Sequence, residues 1–278
     1  MKDGWSFEYT LNEVPAGVGV TLPADQAEQI LLRQLENRER ADEQVLWDLV
    51  NLYSRTGRQG VAFDYAKRLA DTAQTSEKKA ACYLAMGRSM EQIRDCQVAI
   101  QCYSEALALD PIDAETRYII NNNLAYCLNH DGRFAEAARL CRSAIQIDSN
   151  RPNAYKNLGI SLEGQGRFAG AAYCYMSAMR ANGADPRVLN HLEELVDGHP
   201  HIARQIPNLR QRVAAFRMAV EYGAQMKKGS MKQFRAKAGA TSGKVNWLER
   251  AKRFFARRRT KNRCCPVPIT RPSVRVSP

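Results

Sequence analysis

From residue 43 onward the chain repeats one pattern: two stretches with apolar positions at helical spacing, a glycine-bearing turn between them, and an Asp-initiated break at the end. Gly57-Arg58, Gly132-Arg133-Phe134 and Gly166-Arg167-Phe168 each precede a helix rich in small residues, while Asp110-Pro111, Asp148-Ser149 and Asp185-Pro186 punctuate the ends. In register, these signals place unit starts near Glu43, Ala80, Tyr118, Pro152 and Pro186, spaced by 37, 38, 34 and 34 residues. Residues 43–79, 80–117, 118–151 and 152–185 are therefore predicted as four helix–turn–helix units. A helix precedes them within residues 23–42, with Ile30, Leu31 and Leu35 on one face. Residues 186–226 read as a degenerate unit followed by a capping helix: Leu189, Leu192 and Val196 begin it, and Gly198-His199-Pro200 interrupts it. Residues 1–22 alternate apolar and polar positions (Trp5, Phe7, Tyr9, Leu11), which predicts a short strand or hairpin around Pro15-Ala16-Gly17.

Within the units, residue size also recurs. The second unit carries Tyr83, Met86, Gly87 and Met90 on its first helix, with Ala99, Tyr103 and Ala106 on its second. The fourth repeats this as Tyr155, Leu158, Gly159, Leu162, Ala171, Tyr175 and Ala178. The third has Leu124, Ala125, Leu128, Ala137, Cys141 and Ala144, with Asn121 in place of the aromatic; the first has Leu46, Leu49, Val50, Tyr53, Ala62 and Ala66. The spacing and the large–large–small–large order resemble the tetratricopeptide repeat (TPR), a 34-residue helical hairpin. The resemblance implies an all-α, right-handed superhelical solenoid of stacked units, because no unit can bury its apolar face alone. Gly87, Ala125 and Gly159 are then expected where two helix backbones approach most closely.

Charge divides the chain in two. From Gly223 to the end, sixteen Lys/Arg stand against the single acid Glu249, a net +15 within a chain whose total is +12, so residues 1–222 are mildly acidic. Residues 227–278 are expected to be a largely disordered basic tail. Within it, residues 245–259 form an amphipathic pattern, with Trp247, Leu248, Ala251, Phe254 and Phe255 opposite Lys252, Arg253 and Arg257. No apolar run spans a bilayer and no apolar leader follows Met1. Cys82, Cys96, Cys102, Cys127, Cys141 and Cys174 are scattered through helical patterns with no C-x-x-C pair, so they read as buried free thiols suited to a reducing cytoplasm.

The four histidines have no recognisable ligand spacing, and no phosphate loop, nucleophile elbow or paired catalytic carboxylate stands out. The expectation is a non-enzymatic protein without catalytic residues, metal, cofactor or small-molecule substrate. TPR resemblance instead implies that the first helices line a concave groove for a partner peptide, which here maps to Arg88, Asn122, Asn123, Tyr126, Asn129, Asn153, Lys156 and Asn157, with Glu91, Gln92, His130 and Glu163 beside them. Asn123 and Asn157 share one position in successive units, as in an asparagine ladder that grips a peptide backbone; the same residues also read as an ordinary solvated helix face. Lys156 and Arg88 do not reproduce the family's basic clamp for chaperone tails. The reading is thus a cytoplasmic interaction adaptor or scaffold. The alternative is a protein acting at an anionic membrane or on nucleic acid through its tail, with Trp247, Phe254, Phe255, Arg257, Arg258 and Arg259 in contact. Cys264-Cys265 would suit S-acylation beside that cluster.

Overall fold

The computed structural model describes residues 8–11, 20–36, 43–182 and 185–227. It divides after Arg210 into two compact units. The first opens with two short antiparallel strands, β1 (Glu8–Leu11) and β2 (Val20–Pro23), in the register Glu8↔Pro23 to Leu11↔Val20. The regular elements described after them are all helices: α1 (Ala24–Glu36), α2 (Glu43–Arg55), α3 (Gln59–Thr72), α4 (Ser76–Gln92), α5 (Cys96–Ala108), α6 (Ala114–His130), α7 (Phe134–Ile147), α8 (Pro152–Gly164), α9 (Phe168–Ala181), α10 (Pro186–Gly198) and the one-turn α11 (Ile202–Gln205). The second unit, as far as it is described, is the continuation of α12 (Leu209–Lys227). The tail residues Trp247, Phe254, Phe255, Arg257, Arg258 and Arg259, the pair Cys264-Cys265 and the 245–259 pattern lie outside the described residues.

From α2 to α9 the architecture is a solenoid of stacked helical hairpins, as the repeat resemblance implied. Each helix from α2 to α9 packs on the next, and the first helices of successive units, α4 with α6 and α6 with α8, also adjoin one another. One core joins α1 to the first pair through Ala27, Leu31, Val45, Leu49, Leu52 and Ala62. The next joins the first pair to the second through Leu46, Val50, Ala66, Leu69, Cys82, Met86 and Cys102. At the start of the stack, Glu28 on α1 accepts from Tyr53 Oη at 2.8 Å and takes a two-pronged ion pair from Arg58, whose guanidinium lies 4.4 Å over the Tyr53 ring. Tyr53 in turn stacks on Tyr65 at 5.5 Å. Arg58, first, holds the Glu28 carboxyl below its ordinary range. Among the described residues no helix is long and apolar enough to cross a membrane.

The longer unit spacings have a helical origin. α4 and α6 are 17 residues long, whereas α2, α8 and α10 are 13, so the extra residues form one added turn ahead of the repeat's usual start. Side-chain caps fix the earlier starts: Thr75 Oγ1 accepts from the Lys78 amide at 3.2 Å and Asp113 Oδ2 from the Thr116 amide at 2.7 Å. Each satisfies one of the donors that a helix N-terminus leaves unpaired.

The turn inside each unit uses one position in the left-handed region, occupied by Gly57, Arg94, Gly132 and Gly166 at φ 79, 64, 76 and 71°. Arg94 is the misfit, because a Cβ costs about 1 kcal/mol there that glycine does not pay. Arg94→Gly should therefore raise stability by roughly 0.5–1 kcal/mol, less the greater freedom glycine has in the unfolded chain. Urea unfolding checks this, and a variant weaker than wild type would mean that Arg94 makes compensating contacts.

Candidate functional site

The eight groove candidates sit on α4 (Arg88), α6 (Asn122, Asn123, Tyr126, Asn129) and α8 (Asn153, Lys156, Asn157). They divide by accessibility. Arg88 and Asn153 are exposed, and Asn123, Tyr126 and Lys156 are half-buried. Asn122, Asn129 and Asn157 are buried, Asn157 to 2 % relative exposure.

The buried amides point at the neighbouring helix. Asn157 Nδ2 donates to the Asn122 carbonyl at 3.2 Å and to its Oδ1 at 3.1 Å, and Asn129 Nδ2 donates to the Asn157 carbonyl at 2.9 Å. Ser161 Oγ completes the set, its single proton within reach of Asn129 Oδ1 at 2.8 Å and of the Asn157 carbonyl at 2.9 Å. The network continues toward α4: Asn122 Nδ2 donates to Asn123 Oδ1 at 3.0 Å, Asn123 Nδ2 donates to Tyr103 Oη at 3.3 Å, and Tyr103 Oη donates to Glu91 at 2.7 Å. These amides satisfy one another where burial would otherwise penalise them, with Asn157 Oδ1 left buried and without a partner. Asn123 and Asn157 share a repeat position but not an environment, so a free ladder with both amides turned outward is not what the geometry presents.

Tyr103 and Ser161 were not among the sequence candidates. A signal for Tyr103 exists: a glutamate twelve residues before the second-helix tyrosine occurs twice, as Glu91/Tyr103 and Glu163/Tyr175, and the third unit replaces both members, as Asn129/Cys141. The fourth unit repeats the bond, with Tyr175 Oη donating to Glu163 at 2.8 Å. The Tyr175 ring also stacks on His191 of α10 at 5.5 Å, so the hydroxyl and ring of this tyrosine serve two successive units.

Charge collects around Glu91. Burial raises its pKa; the Tyr103 hydroxyl and the nearby Arg88, His130 and Lys156 act against that rise. The Lys156 ammonium is pushed down, first by burial and then by Arg187, while Asp185 and Glu91 oppose the shift. Arg88 and Lys156 make no hydrogen bond or ion pair among the described residues. Beside them the Tyr126 and His130 rings meet edge to face at 4.6 Å. The structure thus gathers Arg88, His130 and Lys156 within electrostatic reach of one carboxylate, across three helices 38 and 34 residues apart in the repeat.

The remaining histidines are occupied by ring packing. His199 stacks on Phe168 at 3.5 Å between centroids, and His201 meets the same ring edge-on at 6.4 Å. Among the described residues no group of three His, Cys, Asp or Glu is placed to hold a metal ion.

The family model of the tetratricopeptide repeat matches residues 84–152. Solved structures of similar fold include MamA residues 41 to the end from Desulfovibrio magneticus RS-1, 17 % identical over 65 % of this chain and 96 % of that one, with a TM-score of 0.52. A crystal structure of MamA is 16 % identical over 65 % of this chain and 97 % of that one, also at a TM-score of 0.52. At these identities the likeness is one of fold. No curated protein matches the sequence.

Proposed function

We propose, for a chain that carries tetratricopeptide repeats, that it is an interaction scaffold whose first-helix face holds an extended, acidic segment of a partner protein. The observation that carries this reading is the pair of cations left without a hydrogen bond or ion pair among the described residues, Arg88 on α4 and Lys156 on α8, the two first helices that adjoin α6. Lys156 is half-buried, so holding its charge there costs solvation that a partner carboxylate would return. Asn123 and Asn153 stand on the same face with accessible amides, and an amide can donate to and accept from a peptide backbone together. Asn122, Asn129 and Asn157 support the face from below by joining α6 to α8. The chain then works by binding, without a chemical step of its own.

The test is selection of peptides by the full-length chain from a displayed random library. Enrichment of Asp/Glu-rich extended sequences is expected, and Arg88→Ala with Lys156→Ala should weaken their binding about tenfold or more while leaving the melting temperature unchanged, since each charged hydrogen bond is worth roughly 1.5–3 kcal/mol. Selection that ignores both substitutions would overturn the reading. The basic tail supports a second one, at an anionic surface, because net +15 over the last 56 residues attracts any polyanion. Binding that survives the Arg88 and Lys156 changes but is lost on Trp247→Ser with Phe254→Ser would favour the tail.

A further inference from the structure

We propose that the first-helix face fixes the direction of its partner: the bound segment lies with its N-terminal side over α8 and its C-terminal side over α4. The proposal rests on the reading above, that this face holds an extended acidic segment, and it is carried by the polarity of the hydrogen bonds around Asn123. Each link of that chain has one direction. At one end, Asn157 Nδ2 donates to the Asn122 main-chain carbonyl at 3.2 Å, and a carbonyl oxygen only accepts. The same Nδ2 donates to Asn122 Oδ1 at 3.1 Å, which leaves Asn122 Nδ2 facing Asn123 Oδ1 at 3.0 Å. Asn123 Nδ2 then faces Tyr103 Oη at 3.3 Å. At the other end, Tyr103 donates its own proton to Glu91 at 2.7 Å, and a carboxylate again only accepts. Turning over any one of the three amides sets oxygen against oxygen and N–H against N–H. Tyr103 cannot follow such a change, because its ring is fully buried against Gly87, where a Cβ would stand 2.4 Å from it.

Asn123 is the accessible member of this chain, half-buried where Asn122 and Asn157 are buried. A side-chain amide has two N–H groups and two lone pairs. Tyr103 takes one N–H and Asn122 fills one lone pair, so one donor and one acceptor of Asn123 remain without a partner among the described residues. The two are turned toward opposite helices. The donor side faces Tyr103 and, beyond it, Glu91 of α4; the acceptor side faces Asn122 and, beyond it, Asn157 of α8. In an extended chain the N–H and C=O of one residue point to the same edge, as in a hydrogen-bonded pair of an antiparallel ladder. One partner residue therefore satisfies both free groups of Asn123, its N–H on the α8 side and its C=O on the α4 side. Because N–H precedes C=O within a residue, the segment runs from α8 to α4. The charges follow the same order. Acidic residues before the gripped one meet Lys156 on α8, and those after it meet Arg88 on α4.

The experiment takes the full-length chain and a blocked peptide of alternating glutamate and alanine that carries a nitroxide at one end or the other. In NMR spectra of the chain, the label at the peptide's N-terminus should broaden the main-chain amides of Asn153 and Lys156 more than that of Arg88. The label at its C-terminus should do the reverse. Tyr103→Phe removes the group that holds the Asn123 amide, so in that chain the two labels should broaden both helices alike, and the peptide should bind about threefold to tenfold more weakly. Without any peptide, the same substitution should shift the Asn123 side-chain amide resonances and leave those of Asn153 in place. The opposite broadening pattern in the wild-type chain, equal broadening by both labels, or unmoved Asn123 resonances in Tyr103→Phe would each overturn the proposed direction while the acidic-segment reading stands. Broadening confined to residues 227–278, or binding that neither Arg88→Ala nor Lys156→Ala weakens, would sink that reading and the direction with it.

Discussion

Gly159→Ala should cost on the order of 1–3 kcal/mol, and much of that cost should vanish when it is made in a chain that already carries Tyr175→Cys. A methyl carbon at Gly159 would stand 2.3 Å from Tyr175 Cε1 and 2.6 Å from Cδ1, far inside van der Waals contact. The ring has nowhere to go: Tyr175 is fully buried, bonded through its hydroxyl to Glu163 and stacked on His191. Gly87 meets Tyr103 in the same way, at 2.4 Å. The protein contains its own compensated example. Where the third unit carries Ala125 in place of glycine, the facing position is Cys141 in place of tyrosine, and both are fully buried. The first unit goes further in the same direction, with Val50 opposite Ala66 in one core. Tyr175→Cys alone should lose roughly 3–5 kcal/mol, the range for emptying a large aromatic site. The double variant should therefore be more stable than the two single losses predict, by about 1 kcal/mol or more. Urea unfolding of the four chains measures this coupling, and strict additivity would show that Gly159 and Tyr175 do not share the space.

The second large effect concerns a residue that the repeat pattern offered for ligand binding. Asn157→Ala should lower stability by roughly 1–3 kcal/mol, since it strips the Asn122 carbonyl and Oδ1 of their donor inside a buried joint. Asn153→Ala, one turn earlier on the same side of the helix but exposed in its first turn, should stay within about 0.5 kcal/mol of wild type. Thermal melts of the two variants decide the matter. Equal melting temperatures would return Asn157 to the binding face and remove the inter-unit role argued from its hydrogen bonds.

The turn at Arg94 and the added helical turns in α4 and α6 show how far local patterns reach. Three of the four left-handed turn positions were legible as glycines, and the fourth was hidden because an arginine occupies it. Thr75 and Asp113 are good capping residues in plain view, yet the repeat register alone starts both units four residues late, because a fixed period cannot report an insertion that preserves the helix. The Glu91/Tyr103 and Glu163/Tyr175 pairs were likewise present as a spacing, but only their contact shows that each is a hydrogen bond.

What the sequence by itself determined is the helical hairpin, its period and the size rule at the helix crossings. Those properties are local or repeat within each unit, whereas it is the structure that shows Gly87 and Gly159 making room for the Tyr103 and Tyr175 rings and not for a helix backbone. What only the tertiary structure decided is which polar groups are buried and which are paired: Asn123 is half-buried and its repeat equivalent Asn157 is buried, while Arg88 and Lys156 have no hydrogen bond or ion pair among the described residues. These depend on partners about 30 to 70 positions away, brought close by stacking of one unit on the next. Helical periodicity specifies which side of a helix is apolar. It carries no information about which polar atom of the adjoining helix will lie within hydrogen-bonding distance.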